Sequence, residues 1–183
     1  MYESFVSYCV VRPQYALLQR AYEAYVSNGQ PCRRTGRNQC AVRMSIALGR
    51  AGFGLESFPA RESVHSGGGG CGTDSMSHVT SAVGLATWLR TALGPPVVIR
   101  PAAGSTGCAP ALEQISGQTG IVYFNNCFTR EGATAQVGDH IDLFNGARYY
   151  NDINNVHAGG TESRGAGGHL FGNADQVWFW PIA

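Results

Sequence analysis

The spacing of apolar residues changes once along the chain, from a helical period in the first half to alternation in the second. Apolar residues recur every three to four positions in 15–26, 38–50 and about 77–93, which predicts three amphipathic helices. Later runs are rich in β-branched and aromatic residues and predict strands. These strands are 97–101, 119–124, 137–144, 147–150 and 177–182. Helices followed by strands predict an α+β fold with an antiparallel sheet, and a length of 183 residues suits one domain spanning 1–183.

Glycine and asparagine mark where the chain is expected to turn. Asn145-Gly146 lies between two predicted strands and is typical of a two-residue β-hairpin. Many of the 25 glycines fall in two stretches, 67–70 and 158–172. We expect the second stretch to be a mobile loop and both stretches to form rims of a cleft.

Charge and hydropathy exclude several classes of function. Thirteen Lys and Arg residues oppose twelve Asp and Glu residues, a net charge of +1 that predicts binding neither to nucleic acid nor to an anionic membrane. No apolar run reaches the roughly 18 residues of a membrane span. The first residues lack a basic start, and their apolar stretch ends early at Arg12-Pro13. We therefore expect synthesis in the cytoplasm without a signal peptide, and no insertion into membranes.

The six cysteines indicate a mixture of roles. They are Cys9, Cys32, Cys40, Cys71, Cys108 and Cys127. No C-x-x-C pair occurs, so a zinc ribbon or a thioredoxin-like site is not expected. The number is compatible with one catalytic thiol, one or two disulfides formed after export, and a few inert thiols. We expect at least one disulfide that excludes Cys40, with Cys71, Cys108 and Cys127 as candidates because they lie in or beside predicted loops.

Cys40 is the first candidate for chemistry, because it falls in the first turn of the helix predicted over 38–50, with Asn38 as its N-cap. The unpaired N–H groups and the positive end of the helix dipole favour a thiolate there. The backbone N–H groups of Cys40 and Ala41 are also suited to bind the oxyanion of an acyl-transfer intermediate.

His140 is the second candidate. Alternation along the strand G-D-H-I-D-L-F-N-G places His140, Asp142 and Phe144 on one face. A histidine on a strand beside a cysteine at a helix N-terminus predicts a papain-like cysteine peptidase fold, in which a third polar group orients the imidazole. This chemistry needs neither a metal nor an organic cofactor.

Each candidate also has a purely structural interpretation. A cysteine near a helix start is more often an inert buried thiol, and a histidine on a strand is more often structural. Arg43 is expected to be an exposed helix residue unless it faces the cleft. The remaining histidines are expected at the solvated surface; they are His65, His78, His157 and His169. A metal site formed by His157, His169 and Asp175 matches no known ligand spacing.

Two motifs resemble those of a known family. N-Q-C-A-V-R-M-S-I-A-L at 38–48 and G-D-H-I-D-L-F-N-G at 138–146 are similar to the signatures of the type VI secretion amidase effectors, family four. These are papain-like, NlpC-type peptidoglycan amidases. The likeness extends over nearly the whole chain, although Phe144 stands where a tryptophan is usual. It implies that Cys40 is the nucleophile and His140 the base.

The resemblance also implies a substrate and partners. The expected reaction is cleavage of the amide between D-glutamate and meso-diaminopimelate in the stem peptide of peptidoglycan. The expected route is delivery by a type VI secretion machine to the periplasm of a target cell. A cognate immunity protein is expected to block the cleft.

The third catalytic residue is less well defined by the resemblance. In the family it is an aspartate after the N-G turn, where this chain reads A-R-Y-Y-N-D. The strict register gives Asn151, and a shift of one residue gives Asp152. We favour Asp152 because a carboxylate stabilises an imidazolium better than an amide does. Asp142, which shares a strand face with His140, is a further candidate.

Two other functions remain possible from the sequence. One is a non-catalytic wall-binding module in which Cys40 and Cys32 are structural. The other is a papain-like protease or a transglutaminase-like acyl transferase that acts on protein. Rapid reaction of the Cys40 thiol with iodoacetamide near pH 6 would argue against the binding module.

Overall fold

The computed structural model has the mixed α+β architecture that the sequence predicts. It describes residues 12–26, 39–59, 63–65, 77–129, 134–150 and 169–183. The helices are α1 (Tyr15–Val26), α2 (Cys40–Arg50), α3 (Ala82–Ala92), α4 (Ala111–Ile115) and α5 (His169–Asn173). The strands are β1 (Ser63–His65), β2 (Ser77–Val79), β3 (Val97–Ile99), β4 (Thr119–Thr129), β5 (Gln136–Asn145) and β6 (Gln176–Pro181).

The larger sheet has four strands in the order β3-β6-β4-β5, and all its pairings are antiparallel. β4 and β5 pair along most of their length, with Phe124 opposite His140 and Gly120 opposite Phe144. In the strand order β5 comes last, at one edge of the sheet. Elements outside the sheet can therefore pack against it there.

Two apolar clusters lie on the two faces of this sheet. Residues of α1, α2 and α3 pack with Ile141 and Leu143 in one cluster. Residues of α4 and α5 pack with Phe124 and Phe144 in the other. The division of β5 into two faces confirms the alternation predicted from the sequence.

The helix predicted over about 77–93 is wrong in its first five residues. Ser77–Val79 is instead β2, which pairs with β1 in a two-stranded sheet. Ser81 then adopts an extended backbone, with φ −112° and ψ 119°, and its side chain accepts a hydrogen bond of 3.0 Å from the N–H of Gly84. This N-cap begins α3 at Ala82. Gly94, with φ +91°, follows the end of α3.

Two further predictions about the second half need correction. The segment predicted as a strand over 147–150 forms only an isolated bridge between Tyr149 and Phe144, because the chain becomes helical at Tyr150. The end of the stretch predicted as a mobile loop, His169–Asn173, is the short helix α5. Positions 158–168 and the other proposed rim at 67–70 lie outside the described residues.

Within the part of the chain that the structure describes, none of the helices has the length and apolar character needed to cross a membrane.

Candidate active site

Cys40 is the first residue of α2 and is almost fully buried, with 4% of its surface exposed. Gln39 precedes the helix in a non-helical conformation, with φ −120° and ψ 18°, and its carbonyl accepts the first bond of the helix from Arg43 N at 2.9 Å. The N–H groups of Cys40 and Ala41 therefore lie ahead of the intrahelical hydrogen-bond ladder. The N-cap of α2 is therefore Gln39, so the prediction of Asn38 as the N-cap was wrong by one residue.

His140 lies in β5 and is 1% exposed. Its imidazole is flanked by two aromatic rings, those of Phe124 and Tyr149, each with a centroid 6.1 Å away. Its Nε2 lies 3.3 Å from Oδ2 of Asp142, which is fully buried. The ring is thus held by packing on its faces and by a polar contact at its edge.

The carboxylate of Asp142 is itself fixed in place. Its Oδ1 accepts a hydrogen bond of 2.8 Å from the backbone N–H of Leu143, while Oδ2 faces His140. Since both oxygens have a partner, the carboxylate cannot rotate without losing a contact. Asp142 is therefore held where its carboxylate can orient the imidazole of His140.

Cys40 and His140 meet although they come from different elements, α2 and β5. The Cys40 side chain is within hydrogen-bonding reach of the imidazole. Burial by itself lowers the pKa of His140, but the charge of Cys40 and hydrogen bonds to Asp142 and Cys40 outweigh it. The net effect raises the pKa of His140 from 6.5 to about 10. The site therefore favours the protonated, imidazolium form of His140.

Two polar residues that the sequence did not place in the site lie beside this pair. Arg43, expected to be exposed unless it faces the cleft, is only 6% exposed. Tyr22 of α1 is fully buried. Burial and the nearby Asp142 carboxylate raise the pKa of Tyr22 well above its ordinary value, and the charge of Arg43 partly offsets this. Arg43 could have been found from its spacing, because a residue three positions after Cys40 shares its helix face.

Asp142 is the candidate third residue that the structure places against His140. Asp152 and Asn151, the candidates that the resemblance implies, both lie outside the described residues. The described contacts thus run from Cys40 of α2 to His140 and Asp142, which the alternation of β5 places on one face.

Among the described residues, Cys127 and His78 differ from their expected surroundings, whereas Cys108 lies in a loop as predicted. Cys108 and Cys127 are fully buried, and their Sγ atoms contact backbone oxygens of Ile99 and Gly138 at 3.5 and 3.4 Å. Cys127 lies within β4, not in a loop. His78, expected at the surface, is fully buried in β2. Cys9, Cys32 and Cys71 lie outside the described residues.

No group of three potential metal ligands among His, Cys, Asp and Glu is found in the described ranges. Of the three residues considered for a metal site, Asp175 accepts a hydrogen bond of 2.9 Å from the Asn126 side chain. His157 lies outside the described residues.

Comparison with known proteins gives one family and several similar structures. The family model for type VI secretion system (T6SS) amidase effector protein 4, Tae4, matches residues 37–180. A search of curated protein sequences finds no match. The Tae4–Tai4 effector–immunity complex from Enterobacter cloacae is similar in fold, with a TM-score of 0.63 at 18% identity over 94% of this chain and 100% of that chain. The Tae4/Tai4 system from Salmonella typhimurium gives a TM-score of 0.57 at 17% identity, over 94% and 99% of the two chains.

Proposed function

This chain belongs to the amidase effector protein 4 family of the type VI secretion system, and we propose that it is an antibacterial peptidoglycan amidase, a cysteine hydrolase that cleaves the γ-D-glutamyl–meso-diaminopimelate bond. The family name supports an amidase effector, and the two sequence motifs support this bond. The observation that carries the mechanism is the chain of contacts from Cys40 through His140 to Asp142.

The proposed nucleophile is the thiolate of Cys40. Since Nε2 of His140 faces Asp142, we assign Nδ1 as the nitrogen that takes the thiol proton. The raised pKa of His140, about 10, favours an imidazolium paired with the thiolate at neutral pH. Asp142 stabilises that imidazolium and fixes its orientation.

The proposed reaction has two stages. The Cys40 sulfur attacks the γ-D-glutamyl carbonyl carbon, and the resulting oxyanion accepts hydrogen bonds from the N–H groups of Cys40 and Ala41. The C–N bond then breaks as His140 transfers its proton to the amine of diaminopimelate, which leaves a thioester on Cys40. Water, deprotonated by His140, attacks the thioester and releases D-glutamate with a new carboxylate and the Cys40 thiol.

The fold supports a papain-like assignment. A cysteine at a helix N-terminus and a histidine on an antiparallel strand are the two defining positions of that fold, and here they meet. We propose one papain-like amidase domain over 1–183. The proposed mechanism uses no cofactor.

We propose that the protein has the partners of its relatives. The effectors of Enterobacter cloacae and Salmonella typhimurium are found in complex with the immunity protein Tai4. By analogy, a cognate immunity protein would bind this chain over its cleft. The type VI machinery would deliver the chain to the periplasm of a target cell, where peptidoglycan lies.

Purified muropeptides and casein separate the proposed function from its alternatives. Release of diaminopimelate-containing fragments from muropeptides, without cleavage of casein, supports the amidase. Cleavage of casein alone would make the chain a protease. Binding to sacculi without hydrolysis of either substrate would make it a wall-binding module.

A further inference from the structure

Tyr22 carries an unusual hydroxyl group. The residue is 0% exposed, and its Oη makes no hydrogen bond of ordinary geometry to any described residue. A buried hydroxyl without a partner is destabilising, and most buried polar groups do have one. Phenylalanine would fill the same space without this penalty. The hydroxyl therefore calls for an explanation other than folding.

The surroundings of Tyr22 are those of the candidate active site. Its hydroxyl faces the Asp142 carboxylate and also lies close enough to Cys40 and Arg43 to interact with their charges. Its ring packs edge-on against Tyr150, with centroids 5.7 Å apart. The helix that carries it is anchored by a hydrogen bond of 2.9 Å from Tyr15 N to the carbonyl of Ala183.

We propose that Tyr22 is a positioning residue whose hydroxyl donates a hydrogen bond to the Asp142 carboxylate during turnover and thereby holds His140 in register with Cys40. This inference rests on the proposed function, since it assigns a role in the same site. It makes α1, which contributes none of the three catalytic candidates, part of the catalytic machinery.

The charge on Asp142 gives a further donor a role. A carboxylate has about four acceptor positions, so Asp142 can accept a hydrogen bond from Tyr22 in addition to its contacts with Leu143 N and His140 Nε2. While His140 is an imidazolium, its charge compensates the buried carboxylate. Once His140 has given its proton to the leaving amine, that compensation is lost. At that step the Tyr22 hydroxyl can donate a hydrogen bond to Asp142 and so stabilise the buried carboxylate, which no longer faces a positive charge on His140.

The test uses Tyr22→Phe, which removes only the oxygen, with Tyr123→Phe as the matched control. Tyr123 is also a buried tyrosine, but its hydroxyl accepts from Asn125 at 3.3 Å. We expect Tyr22→Phe to lower kcat about tenfold with little change in KM, while its melting temperature stays equal or rises. Tyr123→Phe is expected to keep the wild-type kcat.

A double-mutant cycle shows whether Tyr22 acts through Asp142. In the Asp142→Asn background, Tyr22→Phe should cause no further loss of kcat, because the carboxylate that it positions is gone. An equal loss in both backgrounds, or a wild-type kcat in Tyr22→Phe, would overturn the inference.

Alkylation of Cys40 by iodoacetamide as a function of pH gives a readout that needs no substrate. With a less well-held Asp142, the imidazolium is less stable, so the alkaline limb of the profile should move to lower pH in Tyr22→Phe. An unchanged profile would contradict the positioning role. A wild-type protein that fails to digest muropeptides would refute the proposed function, whereas the alkylation profile would still decide the role of Tyr22.

Discussion

Oδ2 of Asp142 lies 3.3 Å from Nε2 of His140, and the two residues are two positions apart on the same face of β5. Because strand alternation alone brings them together, this pairing does not depend on any loop. The backbone N–H of Leu143 holds the other carboxylate oxygen at 2.8 Å. One strand therefore supplies both the proposed base and the group that orients it.

Substituting each candidate for the third catalytic residue should show, from the loss of rate, which one acts with His140. We expect Asp142→Asn to lower the rate of muropeptide cleavage by about two to four orders of magnitude, since an amide cannot compensate the imidazolium charge. Asp152→Ala and Asn151→Ala serve as parallel variants and are expected to retain most of the activity. A large loss in Asp152→Ala with near-normal activity in Asp142→Asn would restore Asp152, the candidate favoured from the sequence.

The stability of the protein should depend on pH through His140. Its pKa is raised from 6.5 to about 10 on folding, so its protonation stabilises the folded state. This contribution is fully present below pH 6.5 and is lost as the pH rises toward 10. The tyrosines with raised pKa values begin to affect the free energy of unfolding only above pH 10.

Urea unfolding at pH 6, 8 and 10 measures this effect. We expect the wild-type free energy of unfolding to fall across this range and His140→Gln to show a much flatter dependence. Parallel curves for the two proteins would show that His140 is not the group responsible.

The cysteines should differ in reactivity. Burial raises the pKa of the Cys108 thiol, and both Cys108 and Cys127 are fully buried. We expect iodoacetamide at pH 6 to label Cys40 first in the native protein, and Cys108 and Cys127 only after unfolding. Peptide mass mapping identifies which cysteines are labelled before and after unfolding.

The same mapping on the non-reduced protein tests the disulfide expectation. Cys108 and Cys127, two of the three candidates named from the sequence, form no disulfide in the structure and are buried, which corrects that expectation. Any bridge is therefore expected among Cys9, Cys32 and Cys71. A bridge through Cys40 would contradict the mechanism.

Phe144 stands where a tryptophan is usual in the family that the motifs resemble. We expect the protein to tolerate tryptophan poorly at this position. Phe144 is fully buried opposite Gly120, with the rings of Phe171 and Phe179 at 6.2 and 6.0 Å. We expect Phe144→Trp to destabilise the protein by about 1–3 kcal/mol through overpacking. Val137→Trp, at a 47% exposed position of the same strand, is the control and should be nearly neutral in thermal unfolding.

The sequence was sufficient for features that depend on local periodicity. The helix over Tyr15–Val26, the place of Cys40 in the first turn of a helix and the two faces of β5 were all predicted from spacing and are found in the structure. The start of α3 was not predicted correctly. Ser77–Val79 continues the apolar spacing of a helix but pairs with β1 as a strand. That pairing brings together segments distant in sequence, which periodicity does not report.

The polar surroundings of the site were harder to predict for a similar reason. Arg43 and Tyr22 are typical surface and core residues when each helix is considered alone. They meet near Asp142 only because α1, α2 and β5 pack together. Burial of His78 likewise depends on tertiary packing, which a single segment of sequence does not specify.

Digestion of purified sacculi by the wild type and by Cys40→Ala tests most directly whether Cys40 is the nucleophile of a peptidoglycan amidase. The new termini are identified by mass spectrometry, and circular dichroism verifies that the variant is folded. We expect the wild type to expose D-glutamate carboxyl groups and diaminopimelate amines, and Cys40→Ala to release neither. Residual digestion by a folded Cys40→Ala above a tenth of the wild-type rate, or new termini at a different bond, would contradict the proposed function.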